Sequence, residues 1–144
     1  AVLALSGDLE NAARYQESWN NLWLNYGLEP MVYDYGTNEI MHPAYNLNPE
    51  IIESAYYLYY FTGDQKYKEM AAQYFEDIMT YCRTDVAFTN IKDVTTKEQA
   101  DHMETFFLAE TMKYLYLVFA NPEGINPEVC VFSTEAHPFR KPEN

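Results

Sequence analysis

The chain has 144 residues, the length of one domain, and 48% of them are hydrophobic, enough to bury roughly two thirds of the unfolded surface. Its net charge of −13 repels phosphate backbones and argues against nucleic-acid binding, while it suits a hard cation or a neutral polyol ligand. No apolar run approaches the length that crosses a bilayer, so no membrane contact is expected from this segment. Fourteen tyrosines, each with a polar tip, fit a core that opens onto a wet cavity, although ordinary helical repeats share that composition. Cys82 and Cys130 match no zinc or redox spacing, and whether they pair is open.

The first residues, Ala1-Val2-Leu3-Ala4-Leu5, are too short for a signal segment and have no basic flank. They read as chain entering from elsewhere rather than as a helix start, which implies a piece of a larger domain. Asp8 then suits the N-cap of a helix to about Tyr26, with Leu9, Ala12, Ala13, Trp19, Leu22, Trp23 and Tyr26 at helical spacing and Gly27 as the stop. Residues 28–47 predict a long Tyr-rich loop with a short hairpin around Gly36. Asn48-Pro49-Glu50 gives a cap, a proline at the first helical position and an acid facing the helix dipole. That helix runs to about Thr62 before Gly63 and is apolar nearly all round.

Asp64 caps a third, one-sided helix ending near Arg83, and a loop from Thr84 to Ala100 is expected to pair briefly as strand. The last helix, from about Met103 to Ala120, is again apolar all round. The alternation of one-sided and all-apolar helices predicts two concentric layers, the hairpins of an αα-toroid. After it, Val131-Phe132-Ser133-Thr134-Glu135-Ala136-His137-Pro138 predicts a terminal strand, stopped by the proline and followed by a polar tail over 140–144.

Four acids fall where burial is heaviest: Glu50 and Glu53 at the first turn of one buried helix, Glu110 inside the other, and Glu135 on the terminal strand. A buried lone carboxylate costs several kcal/mol unless it is paired, hydrogen-bonded or beside a metal. Each has a local explanation, such as a helix dipole for Glu50 or a Lys113 partner for Glu110, and His137 before a proline reads as structural. A shared cavity explains all four together, as paired acids for sugar chemistry or oxygen ligands for a hard cation. His42, His102 and His137 share no zinc spacing, and no serine elbow or phosphate loop is present.

Asn46 to Ser54, Met103 to Tyr116 and Val131 to Pro138 closely resemble, in order, three blocks of glycoside hydrolase family 47. These are the class I α-1,2-mannosidases, with the related ER degradation-enhancing mannosidase-like proteins. The resemblance implies an all-α fold: the C-terminal portion of an (αα)7 barrel with short β elements and a terminal strand entering the barrel. Residues 1–144 would form one part of that catalytic domain, completed by an upstream part. It further implies Ca2+ as cofactor, a mannose-containing oligosaccharide as substrate, hydrolysis with inversion, and a place in the secretory pathway (ER or Golgi) or a secreted or periplasmic location.

Carried over by residue, the resemblance makes Glu50 the general base and puts Glu53 near the calcium and its water. It sets Phe106 against the terminal mannose ring and Glu110 on its hydroxyls. Thr134 becomes the calcium ligand, through hydroxyl and carbonyl, with Glu135 in the shell around calcium and substrate. The chain departs from the pattern at Asn48, where the family has arginine, and at Met31, where members often carry an acid. A mannose-binding, lectin-like quality-control protein without efficient hydrolysis is the alternative.

Overall fold

The computed structural model describes residues 1–120, 122–123 and 125–142. Four longer helices carry the core. After a short α1 (Val2–Leu5), α2 spans Leu9–Tyr26, α3 Glu50–Thr62, α4 Gln65–Tyr81 and α5 Met112–Ala120. Short antiparallel hairpins fill the connections: β1 (Val32–Asp34) with β2 (Glu39–His42), β3 (Ile91–Asp93) with β4 (Glu98–Gln99), and β5 (Cys130–Phe132) with β6 (Pro138–Arg140). Helix α3 is the hub, packing against α2, α4 and α5.

Local chemistry sets the boundaries. Asp8 accepts the Asn11 N–H at 3.2 Å and Asp64 accepts the Lys66 N–H at 3.0 Å, so both act as N-caps. Gly27 and Gly63 end α2 and α3 in the left-handed conformation (φ 68° and 69°), where a Cβ is costly. The start of α3 differs from expectation. Asn48 does not cap it; its side-chain oxygen turns back to accept the Asn46 N–H at 3.2 Å, and the first turn closes from the Pro49 carbonyl to the Glu53 N–H at 2.8 Å.

The core runs along the buried faces of α2 to α5. Trp23 is fully buried, edge-on to Tyr45 at 5.6 Å, and its indole N–H donates to Asp77 at 2.9 Å. Gln16, inside α2, donates to the Ile51 carbonyl at 3.2 Å and the Tyr74 hydroxyl at 3.3 Å, so α2 is fixed to α3 and α4 by polar as well as apolar contact. The long loop before α3 is pinned to β3 through reciprocal backbone bonds between Tyr45 and Ile91 at 2.9 and 2.8 Å.

Four expectations need correction. Residues 2–5 are helical, not irregular. The last helix begins near Phe107 rather than Met103, because residues 102–104 are drawn toward Asn90. Its N–H donates to the His102 carbonyl at 2.7 Å and its side-chain amide to Glu104 at 3.2 Å. The helix also opens with a π-turn, Phe107–Thr111, in which the Met112 N–H reaches back five residues to the Phe107 carbonyl. The third correction is that the last helix is not enclosed: Leu108 in the π-turn and Tyr116 and Phe119 in α5 are exposed.

Finally, the terminal segment is a hairpin, not a lone strand stopped by proline. Pro138 begins β6 and pairs with Phe132, while Val131, expected inside, is exposed. Of the tail predicted over 140–144, Arg140 lies in β6, and residues 143–144 are outside the described residues. Phe132 does pack inward, edge-on to Tyr114 at 6.1 Å.

Candidate functional site

Three elements converge at the N-terminal end of α3. Glu50 is its first residue, exposed, and Glu53 lies half-buried one turn on, accepting a hydrogen bond from the Tyr114 hydroxyl of α5 at 3.0 Å. Glu110 sits half-buried in the π-turn, and the wider turn moves it off the position directly above Phe106 that α-helical spacing gives. Phe106 is half-buried at the mouth of that turn. Thr134 and Glu135 are exposed at the tip of the β5–β6 hairpin.

This tip is rigidly built. The Ser133 hydroxyl accepts from the Glu135 and His137 N–H groups at 3.3 and 3.1 Å, and the Ser133 N–H donates to the His137 carbonyl at 3.0 Å. Ala136 takes a left-handed conformation (φ 54°) and is buried. Its carbonyl accepts from the Lys113 ammonium of α5 at 2.5 Å, which ties the tip to the helix that follows Glu110. His137 contributes backbone contacts and an exposed ring, in line with a structural part.

Electrostatically the four acids form one group. Partial burial pushes the Glu110 carboxyl above the usual carboxylate range, and the charges of Glu50, Glu53 and Glu135 push it further, with Lys113 offsetting them. Burial also raises Glu53, against the Tyr114 hydrogen bond that lowers it, and Glu50 adds to the rise. So the structure brings together the acids that the sequence scatters over 85 positions' worth of chain, from Glu50 to Glu135.

A residue within the long loop predicted over 28–47 joins them. Glu29 lies on the segment leaving α2, and its carboxyl is surrounded by protein although the residue keeps partial exposure. Desolvation first, and then the Glu50 charge, pushes it up to about 8. An acid set between apolar Leu28 and Pro30 was the available signal. Tyr114 and Thr111 were also missed as polar partners, because tyrosine and threonine within an apolar helix read as packing.

The oxygen-rich donor set suits a hard cation. The hydroxyl and carbonyl of Thr134 make no hydrogen bond among the described residues and stand beside Glu135. No three His, Cys, Asp or Glu side chains among the described residues are close enough to grip a metal directly. The Thr134 hydroxyl and carbonyl are oxygen donors of the kind a hard cation takes. Cys82 takes no part: it is a free, buried thiol raised to about 12 by burial.

Comparison with known proteins points to one family. Residues 6–141 match the family model for glycosyl hydrolase family 47. The chain is 35% identical over 141 residues to alpha-mannosidase I MNS4 of Arabidopsis thaliana, covering 92% of the chain and 23% of that protein. It is 34% identical over 135 residues to mannosyl-oligosaccharide 1,2-alpha-mannosidase IA of Sus scrofa, covering 90% and 20%. It is 38% identical over 137 residues to ER degradation-enhancing alpha-mannosidase-like protein 3 of Homo sapiens, covering 92% and 14%. The chain thus spans a quarter or less of these relatives. A solved structure of alpha-1,2-mannosidase from Trichoderma reesei superposes with a TM-score of 0.81 at 29% identity, covering 96% of this chain and 36% of that one. With residues 6–141 of its 144 matched by the family model, the chain belongs to glycosyl hydrolase family 47.

Proposed function

We propose that this chain forms the C-terminal part of the catalytic domain of a calcium-dependent, inverting α-1,2-mannosidase that removes terminal α-1,2-linked mannose from high-mannose oligosaccharides. The single observation that carries the reading is the gathering of Glu50, Glu53 and Glu135 close enough to Glu110 for their charges to add to the rise that burial gives its carboxyl. Acids from three separate elements gathered in this way suit a polyol and a hard cation better than they suit stability.

In this reading Glu50, at the exposed first turn, is the general base that takes the proton of the attacking water. The Glu53 carboxylate, oriented by the Tyr114 hydroxyl at 3.0 Å, holds that water in line. Phe106 lies against the mannose ring, and Glu110 and Glu135 accept from its hydroxyls. Calcium, when bound at Thr134, supplies a fixed positive centre for the sugar oxygens and the water. Inversion requires a second, acidic carboxyl on the opposite side of the scissile bond, and the upstream part of the domain is the proposed source. A place in the secretory pathway follows from the N-glycan-type substrate.

The direct test is mannose release from an α-1,2-linked high-mannose oligosaccharide by the complete protein containing this chain. Release that stops with chelator and returns with calcium supports the reading; no release under any metal condition overturns it. Asn48, in place of the arginine of the resembled motif, favours one alternative: a mannose-binding protein with little hydrolysis. Saturable oligosaccharide binding without mannose release would select it.

A further inference from the structure

A cavity of about 520 Å3 opens beside the acid group, between α1, α2 and α3. Its lining includes Gln16 and Trp19 from α2, Glu29 and Met31 from the segment after it, and Asn48 and Glu50 at the head of α3. Apolar side chains such as Val2, Ile51 and Leu58 make most of the wall, and a large aromatic ring, amides and carboxyls are set among them, a mixture that can meet a sugar with one flat apolar face and hydroxyls at its edges. Two acids front this space, and they differ. Glu50 is exposed, whereas Glu29 is half-buried and its carboxyl makes no hydrogen bond among the described residues.

A half-buried carboxyl that fronts a cavity with no protein partner is open to one supplied by a ligand. We propose that Glu29 is a sugar-positioning residue: its carboxyl hydrogen-bonds a hydroxyl of the saccharide that Glu50 acts on, from within this cavity. The inference rests on the mannosidase reading and extends it to a residue outside the acid group at α3 and the hairpin.

The protonation state agrees. The groups that face Glu29 are Glu50 from α3, Tyr45 from the loop before α3 and Tyr74 from α4, and none of them is a cation. Raised to about 8, the carboxyl is neutral at physiological pH and so can both donate and accept, which is what a sugar hydroxyl needs on each side. A second full negative charge next to Glu50 is avoided at the same time. Above pH 8 the donor is lost.

The test uses the complete protein containing this chain, with α-1,2-mannobiose as probe and the variants E29Q and E29A. Glutamine keeps one donor and one acceptor at nearly the same place, whereas alanine removes both. The expected result is a roughly 3- to 10-fold higher KM for E29A, with kcat changed less and E29Q close to wild type. Wild type is further expected to lose affinity as the pH passes 8, while E29Q does not. Calorimetric titration of mannobiose into proteins that also carry E50Q, which cannot turn over, should show the same order.

An E29A protein with unchanged KM and unchanged mannobiose affinity overturns the inference. So does an E29A protein whose melting temperature falls while its affinity holds, since that marks a purely structural carboxyl. If E29Q loses as much affinity as E29A and wild type shows no change across pH 8, a neutral hydrogen-bonding role is also refuted. Those outcomes leave the mannosidase reading intact as long as wild type cleaves mannobiose. A wild type that neither binds nor cleaves it removes both.

Discussion

The Thr111 hydroxyl donates to the Leu47 carbonyl at 2.6 Å, inside the core and across 64 positions of sequence. Leu47 is fully buried in a left-handed conformation (φ 59°), unusual for a branched side chain, and stands three residues before Glu50. Thr111 closes the π-turn that carries Glu110. One hydrogen bond therefore joins the approach to Glu50 to the turn that presents Glu110, and it holds a backbone conformation that costs energy by itself.

Replacing Thr111 with valine keeps the shape but leaves the Leu47 carbonyl without a donor in a dry site. The expected loss of stability is about 1–3 kcal/mol, read as a lower denaturation midpoint, while serine at this position should recover most of it. A valine variant as stable as wild type would show that the bond contributes nothing to holding Leu47.

Glu50→Gln in the complete protein should cut kcat by roughly 10²–10⁴, the usual contribution of a general base. Folding should stay near normal, since Glu50 is exposed and makes no side-chain hydrogen bond among the described residues. Unchanged turnover would remove the base assignment.

The raised carboxyls also predict how stability depends on pH. Glu29 titrates near 8 in the folded chain against an ordinary 4.5, so between these values the folded state holds a proton that the unfolded state has released. Its stabilising contribution is complete below about 4.5, declines as the pH rises and is gone above about 8, with a limiting slope of about 1.4 kcal/mol per pH unit. Partial exposure makes the real slope shallower. Glu53 and Glu110, also raised, act in the same sense. Melting temperatures of wild type and Glu29→Gln measured from pH 5 to 8.5 should converge at low pH and separate as pH rises, with the variant the more stable at the alkaline end. Parallel curves would contradict the raised carboxyl.

Chelation is expected to abolish mannose release by the complete protein, and added calcium to restore it. Thr134→Ala should shift the calcium needed for half-restoration upward by about tenfold or more, because it removes one oxygen donor at the exposed tip. A protein indifferent to chelator would contradict the cation assignment and leave the acid group to be explained by sugar alone.

Where side-chain chemistry is local, the sequence disclosed the fold well. Asp8, Gly27, Gly63 and Asp64 mark their helix ends in the structure as they do in the sequence, because caps and left-handed stops depend on a few adjacent residues. Glu53 and Glu110 were visible as carboxylates inside apolar helices and are half-buried, whereas Glu50 and Glu135, expected where burial is heaviest, are exposed. What stayed hidden depends on partners distant in sequence. The late start of the last helix follows from Asn90 capturing residues 102 and 104, and the second strand of the final hairpin follows from backbone pairing with Phe132 and Cys130. Neither leaves a mark in hydrophobic periodicity. Glu29 was missed because its setting is made by Tyr45, Tyr74 and Glu50 rather than by its neighbours.

The π-turn at Phe107–Thr111 acts as a phase adjuster. One residue advances an α-helix by about 100°, so a turn that accommodates one more residue offsets everything ahead of it against everything behind. Behind it, Tyr114, Leu115, Leu117 and Val118 face the core; Phe106 at its head and Glu110 within it remain partly open. Deleting a single residue here would let the helix relax to even spacing and swing that leading portion a quarter-turn or more, detaching it from the alignment on which its neighbours depend. The same local irregularity lets one helix serve two masters, a dry packing seam and a wet edge, without bending.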